Sequence, residues 1–144
     1  MRNRLKHFQA LAGLFAFKTL KDGKGNEYVV YQDSAIEDLT GLSDYADIED
    51  KTGFEALENH VHLLYGIKRI EYKPLIAIGS DLAKALLASL KYNFPEKIFI
   101  VYVSVHIGED FIIRFHQKWE GESFYMNPDD FNSEKDVRVI MFQG

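Results

Sequence analysis

Residues 101–119, VYVSVHIGEDFIIRFHQKW, constrain the fold more than any other part of the chain. Apolar and polar side chains alternate on either side of a glycine-containing turn, the period-two pattern of paired β-strands. The register matters, because a slip of one residue sends every side chain to the opposite face. A two-residue turn at Gly108-Glu109 sets Arg114 and His116 among the valines, which desolvates a charge without a partner. A three-residue loop over 108–110 avoids this. It pairs Ile107 with Phe111, and it sets His106 opposite Ile112 and Tyr102 opposite His116. One face is then Phe99, Val101, Val103, Val105, Phe111, Ile113 and Phe115. The other carries Tyr102, Ser104, His106, Ile112, Arg114 and His116.

The apolar face needs a cover, and the segment EYKPLIAIGSDLAKALLASLKYNFP supplies one. Leu75, Ile78, Leu82, Leu86 and Leu90 fall along one helical stripe, widened by Ala83 and Leu87. Pro74 suits a first turn and Pro95 stops the helix, predicting residues 74 to about 93. Upstream, TGFE reads as a capping box, with Thr52 accepting and Glu55 reaching back. Phe54, Leu57, Val61 and Leu64 then recur at helical spacing, predicting a helix from about 53 to 65. LFAFKTL and EYVVYQD flank the polar turn KDGKGN and predict a hairpin. Residues 2–11 suit a short helix ended at Gly13. ESFYMNPDDFNSEKD reads as a loop, and VRVIMF as a last strand. The expected fold is α+β: one antiparallel or mixed sheet of about five strands, with helices mainly on one face and residues 1–144 in a single domain.

The absence of cysteine excludes disulfides and thiolate metal sites. A net charge of −5 argues against nucleic acid as partner. The basic N-terminus precedes an apolar run, residues 10–17, that is short, is ended by Lys18 and lacks a cleavage site. No run is long enough to cross a membrane, so the cytoplasm is the expected location.

Chemical motifs are sparse. His106, Arg114 and His116 share the outer sheet face. They read as a solvated or partner-covered surface, or else as a metal-independent phosphodiesterase set of general base, general acid and phosphate-holding arginine. His60 and His62 would share a face and bind metal in a strand, but on the expected helix they diverge, and Glu58 and His62 form a surface pair. SDYADIED lacks the alternation and glycine of a calcium loop. KDGKGN lacks the P-loop pattern, and Ser104 lacks a nucleophile-elbow context. No cofactor or metal is expected.

Residues 33–58 hold nine acids against one base, Lys51, for a net of −8, and the rest of the chain sums to +3. Leu39, Leu42, Tyr45, Ile48 and Phe54 lie among these charges and read as exposed. One-signed charge with aromatic anchors suits a basic partner. With the block IEDLTGLSDYADIEDKTGFEALE and no catalytic set elsewhere, the chain resembles the bacterial immunity proteins that neutralise polymorphic or contact-dependent toxins. The resemblance implies an antitoxin that covers a basic toxin domain. Asp44, Tyr45, Asp47, Glu49 and Asp50 are the expected contacts, and His106, Arg114 and His116 a second contact surface. A small-molecule-binding domain is the further alternative.

Overall fold

The computed structural model describes residues 10–40 and 48–144. Among the described residues, six strands form two sheets rather than the single sheet expected. Strands β1 (Phe17–Lys21) and β2 (Glu27–Tyr31) make a separate antiparallel hairpin, in register from Phe17↔Tyr31 to Lys21↔Glu27. Its turn is organised by Asp22, whose carboxylate accepts from the backbone N–H groups of Lys24 and Asn26 and from the Tyr28 hydroxyl. Gly25 takes φ +85° there, a conformation that disfavours any side chain. The main sheet is antiparallel throughout. Its spatial order is β3 (His60–Tyr65), β5 (Asp110–Gln117), β4 (Phe99–His106), β6 (Val137–Gln143).

The β4–β5 loop has three residues, as expected, but they are 107–109 rather than 108–110. Val105 therefore pairs with Phe111, Tyr102 with Arg114 and Ile100 with His116. The shift from the expected register is two residues, so each side chain keeps its face. Gly108 at φ +84° makes the turn.

Helix α2 (Tyr72–Asn93) covers the valine face as expected. Its buried line is Leu75, Gly79, Ala83, Leu86 and Leu90, while Ile78 is half exposed. The stripe is rotated toward small residues because they let the helix approach closely. A Cβ on Gly79 would stand 2.5 Å from Val103 Cγ1 and 2.9 Å from the Phe111 ring. Each fully buried leucine here contributes roughly 1.5–3 kcal/mol.

Helix α1 is shorter than expected, Lys51–Glu58. Asp50 caps it by accepting from Gly53 N at 2.8 Å, not Thr52. A Cβ on Gly53 would collide with that carboxylate, which explains the glycine. The expected continuation to 65 is instead strand β3. Val61 and Leu63 alternate with His60 and His62, so the segment also fits period two, and pairing with β5 decides between the two readings.

Both faces of the hairpin are buried. Phe17, Val29 and Tyr31 join the main core, where Tyr31 and Phe17 stack and both rings meet Phe115 edge-on. Leu20, Tyr28 and Val30 pack with Leu39, Ile36, Ile48, Phe54 and Trp119. Leu39, Ile48 and Phe54, expected as exposed groups of the acidic segment, thus cover the hairpin. Leu42 and Tyr45 lie outside the described residues. The outer face of the main sheet is also covered. The chain after β5, including the short helix α3 (Asp129–Asn132), lays Tyr125, Met126 and Phe131 over Ile100, Tyr102 and Val139. No helix among the described residues is long and apolar enough to cross a membrane.

Candidate functional site

The two sheets are joined by a seam of buried polar groups. Glu55 is fully buried on α1. Its carboxylate accepts from Val29 N of β2 at 3.0 Å, Gln117 N of β5 at 3.1 Å, Gln117 Nε2 at 2.8 Å and Trp119 Nε1. Asn59, also fully buried, donates to Val29 O and accepts from Tyr31 N. The outer edge of β2 is thus satisfied by side chains where a neighbouring strand would otherwise be needed. Burial pushes Glu55 up to about 7, against the lowering effect of its four donors. A capping-box reading had placed Glu55 at the helix end. Nothing local in the sequence marks it as the joint between two sheets.

His116 is a second buried group, not an exposed one. Its Nδ1 lies 2.7 Å from Gln117 O. A carbonyl only accepts, so Nδ1 carries the proton and Nε2 is an acceptor. Nε2 takes the Tyr102 hydroxyl at 3.1 Å and Tyr125 N at 3.4 Å, while Tyr102 Oη accepts from Met126 N. Desolvation holds His116 below its ordinary value, in the neutral form this network requires. The histidine therefore fastens the covering segment to the sheet. Arg114 is half-buried with its guanidinium over the Tyr125 ring, 4.9 Å from the centroid. His106 is partly exposed at the far end of β4, 3.7 Å from Glu109. His106 lies six residues along β4 from Ile100, the partner of His116, a separation of about 20 Å. The two histidines do not face one another across a common site, and the outer face is not an open surface.

Glu49 and Asp50 are exposed and stand at the start of α1. There they border an open hollow of about 390 Å³ with Glu122, Phe124 and Tyr125. Glu122 comes from the covering segment and accepts from Thr52 N at 2.7 Å and Lys51 N at 3.3 Å. Partial burial would raise it, but these donors and the Lys51 ammonium hold it below the ordinary carboxylate range. The Lys51 ammonium is 3.0 Å from Glu122 and lies over Trp119, so of the three carboxylates at the hollow Glu122 is the one it pairs. Phe124 is 36 % exposed and offers an apolar contact at this rim. Asp44, Tyr45 and Asp47 lie outside the described residues. Glu122 and Phe124 were not expected here. They lie some 70 positions away in a segment that reads only as a polar loop.

Among the described residues, no group of three or more His, Cys, Asp or Glu is placed to hold a metal ion. No family model matches the chain, and neither a curated protein nor a solved structure matches it. The class of protein is therefore defined by the structure itself: an α+β protein with a four-stranded antiparallel sheet, a packed hairpin and an acidic hollow with an aromatic rim.

Proposed function

We propose that this chain is a non-catalytic protein-binding protein of the immunity or antitoxin type, acting in the cytoplasm on a basic toxin domain. The observation that carries this reading is the convergence of Glu49 and Asp50 with Glu122 around one open hollow, beside the exposed ring of Phe124. Carboxylates of one sign raise the encounter rate with a cationic surface, and the ring adds apolar contact once docked. Asp44, Tyr45 and Asp47, next in sequence to Glu49, extend the proposed contact. His106, partly exposed at the end of β4, remains a secondary contact, and Arg114 contributes there only beside the Tyr125 ring that covers it. His116 takes part only through the segment it anchors.

The test is affinity capture from native lysate at low and high salt, with Asp44→Asn, Asp47→Asn, Glu49→Gln and Asp50→Asn combined as the control. Asn is itself a good N-cap, so the variant keeps the start of α1. The expected result is one basic partner, lost at high salt and by the variant. A partner held equally well by the variant overturns this surface as the contact.

A further inference from the structure

A different set of residues, at the opposite edge of the main sheet from β6, is built for another ligand. We propose that His60 and His62 form a chelating pair for a divalent transition ion of the Zn²⁺, Ni²⁺ or Cu²⁺ kind. Both lie on edge strand β3, with His60 opposite Arg114 and His62 opposite Ile112, so they share a sheet face. Their ring centroids are 5.3 Å apart. Two imidazoles bound to one tetrahedral ion through nitrogens about 2.0–2.1 Å from it have centroids about 5 Å apart. The separation already suits a shared ion.

The ring nitrogens are arranged accordingly. His60 Nδ1 meets Leu57 O, which only accepts, so Nδ1 carries the proton and Nε2 keeps its lone pair. His62 Nδ1 is buried 3.1 Å from the Asp110 carboxylate and makes no hydrogen bond among the described residues. Metal-binding histidines characteristically commit one nitrogen to an outer acceptor, as His60 does with Leu57 O, and present the other to the ion. Tyr65 stacks flat on His62, 5.2 Å away at 9°, and fixes that ring.

The surroundings favour a cation. The two histidines border an open cleft of about 430 Å³ with Asp33, Glu58 and Tyr31. The Tyr31 hydroxyl is buried there without a hydrogen-bond partner among the described residues. Arg114, paired with His60 across the strands, has its guanidinium over the Tyr125 ring, and Lys18, which donates to Ser34 O at the cleft wall, is paired with Glu37. With two protein ligands, water completes the coordination shell. Imidazole selects borderline ions, whereas Ca²⁺ and Mg²⁺ require oxygen-rich sites. The pair is separate from the acidic hollow and stands whether or not that hollow binds a protein.

The experiment is calorimetric titration of the full chain with ZnCl₂, NiCl₂ or CuCl₂ at pH 7.5, with CaCl₂ as comparison. Wild type is expected to take up one transition ion saturably at pH 7.5. Binding should weaken about tenfold or more in His60→Gln and in His62→Gln. It should persist in His106→Gln, whose ring stands on β4. Far-UV circular dichroism confirms that each variant is folded. Absence of saturable binding overturns the proposal, as does binding that survives both β3 substitutions or is lost in His106→Gln.

Discussion

Glu55 and Glu49 come from the same acidic stretch, six positions apart, and do opposite things. Glu55 sits in a dry seam where both carboxylate oxygens accept N–H groups from two sheets. Glu49 sits on the wet rim of a hollow, exposed to solvent. The histidines divide in the same way. His116 has both nitrogens committed to the protein, whereas His60 on the edge strand keeps Nε2 unclaimed among the described residues. Residue type therefore does not separate scaffold from binding surface in this molecule. For these two pairs the separation lies in whether the fold consumes the group's hydrogen-bonding capacity. A buried group left partly unsatisfied is costly, so buried polar centres become saturated and lose the means to bind anything else.

Substitutions on the two sides should behave very differently. The largest effect is expected for Glu55→Ala, which strands Val29 N, Gln117 N and Trp119 Nε1 without acceptors. Each orphaned donor costs about 1–3 kcal/mol, partly offset by no longer burying a carboxylate, for a net loss on the order of 3 kcal/mol in urea unfolding at neutral pH. A loss below about 1 kcal/mol would mean that the sheets are held by their aromatic contacts and not by this seam.

The next effect is a pH slope. Glu55 has a folded-state value of about 7, above its unfolded value of 4.5. The folded state therefore holds more protons between those values, and this contribution to stability falls as pH rises from about 4.5 through 7. The unfolding free energy of wild type relative to Glu55→Gln should fall by roughly 3 kcal/mol across that window. His116 runs the other way. Its folded value is lowered, so its contribution is lost as pH falls below its ordinary value. That effect is common to both proteins and cancels in the difference. A difference that stays flat with pH would show that Glu55 does not titrate in this range.

The smallest effect is expected on the rim. Glu49→Gln should change stability by less than about 0.5 kcal/mol, because the side chain is exposed and only surface electrostatics change. A larger loss would move Glu49 from the binding side of the comparison to the structural side.

Much of the scaffold was legible in the order of residues. Alternation placed β4, β5 and β6. The spacing of leucines between two prolines placed α2, and a glycine-rich polar turn placed the hairpin. These signals are local, because helix and strand periods depend on neighbours along the chain. Face assignment on β4 and β5 survived a two-residue error in register because side-chain direction has a period of two.

What the sequence left open depended on contacts between distant segments. Residues 60–65 fit both periods, and only pairing with β5 made them a strand and brought His60 and His62 to one face. The hairpin became a second sheet because Glu55 and Asn59 occupied the β2 edge. Leu39, Ile48 and Phe54 turned inward because a two-stranded sheet has two apolar faces to cover and too few strands to cover them. Glu122 reached α1 across 70 positions. Local order fixed the elements through backbone sterics and periodicity. Tertiary packing decided which polar groups were buried and saturated and which stayed available, since desolvation depends on what surrounds a side chain in space and not on its neighbours in the chain.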